Sequence, residues 1–292
     1  MITRRLKRNL EGYTFVSLAL VGILVFRLGP MLYSLWLAFC DYNILRQPEF
    51  IGLGNFKEAF SQEIFWRSVY ITFYYVLGSL PLTLTAALGA AVLLNQKLRG
   101  MHFFRTLFYV PSVTAGVAVS ILWMWVFEPQ YGLLNQVLAM VGIKGPAWLG
   151  DPAWAMPALV FMTVWQMGTP MLIFLAGLQN IPTELYEVAI LDGASAWRKF
   201  KSITLPLLSP SIFLNIVMGV INSFQVFEKV YIMTGGGPVN STLVYVMYLY
   251  RNAFQFLRMG YGAALAWLLF VVIFSFTLLQ FRYSSWVYYQ GN

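Results

Sequence analysis

The chain has 292 residues, of which 59% are hydrophobic, 17% aromatic and only 10% charged. Soluble domains carry about 25% charged residues, so there are too few here to coat a water-soluble fold, which argues against a soluble enzyme, a nucleic-acid-binding module and a disordered chain. The net charge of +8 would suggest nucleic acid in a soluble protein and instead reads as an orientation signal in an apolar one, while one cysteine (Cys40) and one histidine (His102) leave no intrachain disulfide, no cysteine metal cluster and few zinc or catalytic-dyad options.

A membrane-spanning helix needs about 20 mostly apolar residues. Six stretches qualify, at about 13–39, 68–94, 104–127, 154–178, 210–233 and 261–284. Each is apolar all round rather than striped, as suits a helix surrounded by lipid and protein. The expected fold is therefore all-α integral membrane, with six transmembrane helices in a single domain over residues 1–292. The first stretch is much longer than the apolar core of about 7–15 residues in a signal peptide and has no small-x-small cleavage site, so it reads as a span. Arg27 lies near its middle. An unpaired arginine there costs about 2.5–3.5 kcal/mol on insertion scales, so a structural pairing is expected. The Gly29-Pro30 pair that follows suggests a helix break. Pro81 and Pro111 are expected to kink the second and third spans, and Gly168 with Pro170 to break the fourth. Trp123, Trp125, Trp154, Trp286, Tyr288 and Tyr289 cluster near span ends, as in an interfacial belt.

Charge placement orients the spans. With the N-terminus inside, the inner segments hold eleven basic residues: Arg4, Arg5, Lys7, Arg8, Lys97, Arg99, Arg105, Arg198, Lys199, Lys201 and Arg282. The outer segments hold six: Arg46, Lys57, Arg67, Lys144, Arg251 and Arg258. Asp41, Glu49, Glu58, Glu63, Glu128 and Asp151 fall outside, whereas Glu11, Glu184, Glu187 and Asp192 fall inside. The positive-inside bias puts both termini in the cytoplasm.

The loops at 40–67 and 128–153 are punctuated by glycine and proline. The stretch 179–209 has a helical pattern of its own. Pro182-Thr183 suits a helix start and the run from Thr183 to Leu191 a short helix, which Asp192-Gly193 breaks. Ser195 then caps a second helix that places Trp197, Phe200 and Ile203 on one face, with Arg198, Lys199 and Lys201 largely elsewhere. Pro206 is expected to end it. Periodicity alone fits an interfacial amphipathic linker as well.

Polar residues inside spans are costly unless they face one another or a water-filled cavity. The fifth span is the richest, with Asn215, Asn222, Ser223, Gln225, Glu228, Lys229 and Tyr231. Asn222 and Gln225, three apart, share a face, and Gln166 sits beside Trp165 in the fourth span. Gln166, Asn222 and Gln225 are the candidate pathway residues; hydrogen bonding between helices is the competing role. Glu228 and Lys229 are adjacent and so are not a simple ion pair. The sequence has no Gly-x4-Gly-Lys-Ser/Thr loop to cradle phosphates. A proton- or ion-coupled secondary transporter remains the alternative, although no Asp or Glu lies at mid-span.

One spacing narrows these readings. Glu187-Val188-Ala189, three residues, Gly193, nine residues, then Ile203-x-Leu205-Pro206 resembles the EAA loop of ABC importer permeases, with Val188 in place of the middle alanine. Pro30-x2-Tyr33-Ser34, Gly52-x-Gly54-Asn55-Phe56, Arg105-x2-Phe108-x2-Pro111 with Gly132 and Asn135, and Thr234-Gly-Gly-Gly-Pro238 with Ser241-Thr242 extend the likeness along nearly the whole chain. They resemble sugar-importer permeases of the maltose and glycerol-phosphate type, and in particular the first of two unlike permeases. The resemblance implies a permease subunit in the bacterial inner membrane that forms half of a carbohydrate pathway. It implies a second homologous permease, an ATPase dimer that holds the ATP and Mg, an extracytoplasmic solute-binding protein, and no cofactor or metal on this chain. It makes 179–209 the coupling segment, with Glu187, Val188, Ala189, Gly193, Ala194, Ile203, Leu205 and Pro206 meeting the ATPase or anchoring the return to the membrane.

Overall fold

The computed structural model describes residues 2–96 and 98–288, without the side chains of residues 2–11 and 15. Lys97 and Tyr289, and the side chains of Arg4, Arg5, Lys7, Arg8 and Glu11, therefore lie outside the described residues. The helices in chain order are α1 (Ile2–Ile23), α2 (Gly29–Leu37), α3 (Gly54–Ser61), α4 (Glu63–Leu94), α5 (Met101–Val113), α6 (Gly116–Val126), α7 (Leu133–Met140), α8 (Ala155–Met162), α9 (Gly168–Gln179), α10 (Thr183–Leu191), α11 (Ala196–Lys199), α12 (Leu205–Leu207), α13 (Ser209–Phe224), α14 (Glu228–Met233), α15 (Tyr245–Tyr250) and α16 (Met259–Arg282). A short antiparallel ribbon, β1 (Cys40–Asp41) and β2 (Glu49–Phe50), pairs Cys40 with Phe50 and Asp41 with Glu49.

Among the described residues, four helical stretches are long and apolar enough to cross a membrane: Gly12–Leu37, Glu63–Leu94, Ser209–Met233 and Met259–Arg282. Two bent pairs raise the number to six if each is one span. The α5–α6 pair turns through 98°, and Ala155–Gln166 turns through 45° into α9. Pro111 lies in the last turn of α5, where its missing N–H and ring weaken the helix just before Thr114 swings to extended backbone. By contrast α4 continues past Pro81 without a break.

The chain divides into two compact units, each described here by itself. The first comprises residues up to Glu63 with Leu249–Val271. Its first span does not break at Gly29-Pro30. A wider π-helical turn, Leu24–Leu28, joins α1 to α2, and the Gly29 N–H bonds to the Leu24 carbonyl five residues back. Pro30 then falls in the first turn of α2, where no donor is required of it. The expected pairing of Arg27 is also absent: its side chain is exposed and has no hydrogen bond or ion pair among the described residues. Asn55 organises the segment that follows. It is buried, and its Nδ2 donates to the carbonyls of Ala38 and Cys40 at 2.9 Å each. Arg258 pairs with Glu58 and lies 4.6 Å over the Tyr261 ring. The Gly260 N–H donates to Tyr42, and a Cβ on Gly260 would collide with the Cys40 carbonyl.

The second unit holds Ile64–Tyr248 with Val272 onward. Its core sets Ala87, Ala90, Ala91 and Leu94 of α4 against Met171, Phe174, Leu175 and Leu178 of α9. Small residues let the two backbones approach closely, which is how helices pack where lipid is as apolar as leucine. Gly168 serves α5 in the same way, since a Cβ there would lie 2.7 Å from the Phe108 carbonyl oxygen. Arg105 closes the end of α4 by donating Nε and Nη2 to the Leu94 carbonyl at 3.3 and 2.9 Å. Asn135 ties together the loop around α7, donating to the Pro129 and Pro146 carbonyls and accepting from Trp148 Nε1. The glycine-rich turn after α14 is locked by the Thr234–Thr242 hydroxyl pair at 2.7 Å, and Thr242 also donates to Gly237. Trp125, Trp154, Trp286 and Tyr288 are exposed as a belt requires. Trp123 is not: only 9% exposed, it packs on Phe127, Phe161 and Trp165, so it belongs to the interior.

Replacing Asn55 with leucine leaves two buried carbonyls without a donor, and is expected to cost about 1–3 kcal/mol, read as a lower Tm of the detergent-solubilised protein. Gly168→Ala is expected to lower Tm by overpacking, again by about 1–3 kcal/mol. Gly89→Ala serves as its control, because a Cβ there meets nothing within 4 Å, and it should leave Tm unchanged or slightly raised.

Candidate functional site: a cavity at the broken spans and a capped helical hairpin

The interruptions in the fourth and fifth spans meet at one cavity within the second unit. After α8 the chain tightens into a 3-10 turn, Thr163–Gln166, before α9 begins at Gly168. Pro170 has no N–H and Gly168 gains little from a helical conformation, so neither holds the two segments in one straight helix. The fifth span leaves the helix between α13 and α14, where Phe227 takes φ −142° and ψ −61°. The cavity beside these breaks has a volume of about 580 Å³, within the range of small-molecule sites.

Gln166, Asn222 and Gln225 all line it. None of their side chains makes a hydrogen bond among the described residues, so each amide keeps its full capacity for a guest. Asn215 takes the other role open to a polar residue in a span. It is 3% exposed and donates from Nδ2 to the Pro170 carbonyl at 3.3 Å, bracing α13 against α9. Thr83 and Thr163, hydrogen-bonded to each other at 2.9 Å, also line the wall. Ser79 of α4 was not singled out in the sequence. It lines the cavity, is buried, and its hydroxyl has no partner. The available signal was the recurrence of small polar residues at Thr72, Ser79 and Thr83 on one helix.

Glu228 and Lys229 form part of the wall as well. The Glu228 carboxylate lies against Gly116 at the start of α6, where a Cβ would come within 2.7 Å of it. Lys229 Nζ sits 5.8 Å over the Tyr75 ring, a cation–π distance. The two charges thus have different neighbours and do not pair with each other. Trp165 does not join Gln166 at the cavity: adjacent in the 3-10 turn, they face different surroundings. Amide, hydroxyl, carboxylate and ammonium groups around one volume can hydrogen-bond a polar, hydroxyl-rich solute. Among the described residues no group of three metal-ligating side chains comes together.

The second feature is the stretch between α9 and α13. Helix α10 occupies Thr183–Leu191, and Gly193 follows with φ +71°. The Gly193 N–H bonds to Ile190 and the Ala194 N–H to Ala189, at 3.0 and 2.9 Å, a Schellman closure in which the left-handed residue is glycine. No atom would meet a Cβ at Gly193; the glycine is there for its backbone angle. Ser195 Oγ accepts from the Arg198 N–H and caps α11. Pro206 does not end the helix. A π-helical turn, Phe200–Thr204, widens the bonding frame so that the Leu205 N–H reaches Phe200, and Pro206 enters at the first turn of α12 where its missing donor is harmless.

Tyr186 Oη and Thr204 Oγ1, 2.8 Å apart, brace the two arms, and Tyr186 and Ile203 pack on the alanine-rich core. Glu187, Val188 and Gly193 are exposed, Ala189 and Ala194 half-buried, Leu205 half-buried and Pro206 exposed. Leu191 and Trp197 are 87% and 70% exposed. The hairpin therefore has a rigid backbone and an uncovered apolar ridge.

The family model for the binding-protein-dependent transport system inner membrane component matches residues 60–287. The probable ABC transporter permease protein YesP of Bacillus subtilis (strain 168) is 45% identical over 98% of this chain and 94% of its own. The trehalose/maltose transport system permease protein MalF of Thermococcus litoralis is 34% identical over 93% and 92%. The crystal structure of a bacterial alginate ABC transporter in complex with alginate pentasaccharide-bound periplasmic protein matches with a TM-score of 0.86 at 25% identity, covering 97% of this chain and 96% of that one. These likenesses set aside the secondary-transporter alternative. The chain is a multi-pass integral membrane protein and belongs to the binding-protein-dependent family of ABC importer permeases.

Proposed function

We propose that this permease is one of two related membrane subunits of an ATP-driven importer and forms half of the path for a carbohydrate, an oligosaccharide, disaccharide or polyol, in the bacterial inner membrane. An extracytoplasmic binding protein delivers the solute and a second homologous permease completes the path. A separate ATPase dimer binds ATP and Mg and hydrolyses the nucleotide, and this chain carries no cofactor. Both termini lie in the cytoplasm, as the basic residues of the inner segments favour.

The reading rests on the convergence of three unpaired amides, Gln166, Asn222 and Gln225, on a single cavity at broken spans. Sugars are bound through many modest hydrogen bonds, and amides supply both donors and acceptors. Broken helices beside a cavity are the common construction of transport sites. The trehalose/maltose permease among the relatives supports the same solute class.

The hairpin is the coupling segment. Glu187, Val188 and Ala189 present α10 to the ATPase, Gly193 and Ala194 make the turn, and Ile203, Leu205 and Pro206 carry the chain back to the spans. The exposed ridge ending in Leu191 and Trp197 is the surface that the ATPase covers.

Asn222→Leu and Gln225→Leu are each expected to lower ATP-driven uptake into proteoliposomes about tenfold, the equivalent of one or two hydrogen bonds at about 0.5–1.5 kcal/mol each. Their Tm should stay at the wild-type value, because neither side chain is bonded within the protein. Uptake that survives both substitutions would remove these residues from the path. Gly193→Asp is expected to abolish uptake while membrane insertion and ATP hydrolysis by the assembled complex persist. Unchanged uptake would show that the hairpin does not couple.

A further inference from the structure

The return from α12 to α13 contains a weak joint within the second unit. Pro206 and Pro210 lie four residues apart. In a continuous α-helix the Pro206 carbonyl would accept the N–H of residue 210, and a proline there has none to give. Leu208, between the two prolines, takes φ −85° and ψ −7° and separates α12 from α13. Helices bend where their ladder is interrupted in this way.

Ser209 repairs the joint. It is 2% exposed, and its Oγ donates to the Pro206 carbonyl at 2.6 Å. The same oxygen accepts the N–H of Tyr288 at 2.8 Å, across 79 residues of sequence. That donor belongs to the short tail after α16, a 3-10 turn at Ser284–Trp286 followed by extended backbone at Val287. Val287 is buried against Phe213 and Val217 of α13. The Phe213 ring also meets those of Phe281 and Trp286, with centroids 5.2 and 6.3 Å apart. Covering Phe213 needs only these apolar side chains. The hydrogen bond to Ser209 adds something else: it fixes the tail backbone to the hydroxyl that bridges the missing rung of the ladder. The tail thus grips α13 on one side of the joint and, through Ser209, Pro206 on the other.

We propose that residues 284–288 splint the Pro206–Pro210 joint, with Ser209 and Val287 as positioning residues that make the return arm of the hairpin and α13 move as one piece. The inference rests on the reading of the hairpin as the coupling segment. With the splint in place, a displacement of the hairpin reaches Asn222 and Gln225 at the far end of α13. Without it, the same displacement is absorbed by bending at Leu208.

The test is hydrogen exchange on the complete transporter, read by peptide mass spectrometry without nucleotide and again with the ATPase trapped by ATP, Mg and vanadate. In the wild type, trapping is expected to change exchange both in 183–191 and in 220–226. Tyr288→Pro removes the donor, and Val287, at ψ 120°, already has the backbone that a residue before proline prefers. This variant is expected to speed exchange across 207–213 several-fold at rest. On trapping it should keep the change in 183–191 and lose most of that in 220–226. Ser209→Ala removes the acceptor and should do the same if the proline variant does not assemble. Tyr288→Ala keeps the N–H, loses only an exposed side chain, and should behave as the wild type. A trapping response in 220–226 that survives both Tyr288→Pro and Ser209→Ala would overturn the splint while leaving the coupling segment in place. So would an equal loss of that response in Tyr288→Ala. A wild type whose 183–191 exchange ignores trapping would overturn the coupling segment and the splint together.

Discussion

The hydrocarbon core of a bilayer offers no hydrogen bonds, and a chain that leaves the helix inside it must find partners for its own backbone or open onto water. This constraint governs the second unit. At the elbow of the third span, Thr114 Oγ1 donates to the Val110 carbonyl, and Ser112 Oγ reaches across to the carbonyl of Gln166. At the break in the fourth, Asn215 supplies a donor to Pro170. Short polar side chains thus repair the backbone where helices part. The amides that repair nothing, on Gln166, Asn222 and Gln225, line the cavity.

The same constraint sorts neighbouring residues. Gln166 and Trp165 occupy consecutive positions in a 3-10 turn, and one lines a polar cavity while the other lines an apolar cleft. A regular α-helix would have turned only about 100° between them; the tighter turn with the bend after it separates their surroundings more fully. Gly168 makes this possible, because α5 comes too close at that point for any side chain.

Hydropathy located the four helices long enough to cross a membrane and the two bent pairs, since length and lack of charge are sufficient signals for such stretches. The helix Thr183–Leu191 and the left-handed Gly193 were equally legible, because caps and C-terminal glycines are local chemistry. What escaped was non-local or lay in the helical frame. Two π-helical turns absorbed Pro30 and Pro206, at which the sequence suggested interruptions, and no residue pattern announces a widened turn. Arg27 was expected to find a partner and is exposed. Trp123 sits in the interior although its position near a span end suggested a belt. In the cavity the three amides could be named because polarity inside a span is rare. Ser79 could not, since a serine in a helix ordinarily bonds back to its own turn and only the fold shows that this one does not.

The hairpin and the cavity are joined by one continuous body of packing. Ile203, Leu207 and Leu208 on the returning arm, and Tyr186 on the outgoing one, lie against the cluster built by α4 and α9. The Tyr186–Thr204 bond keeps the two arms from sliding independently. Helix α9 runs from that cluster to Thr169 and Pro170 on the cavity wall, and its 12 residues span about 18 Å. A close-packed interior has low compressibility and passes displacement on. In the proposed importer, a shift imposed on α10 by its ATPase would therefore reach the cavity through α9 as a rigid strut. Asn215, held to Pro170, would carry α13 along with it, so that both walls bearing the amides respond to a single push.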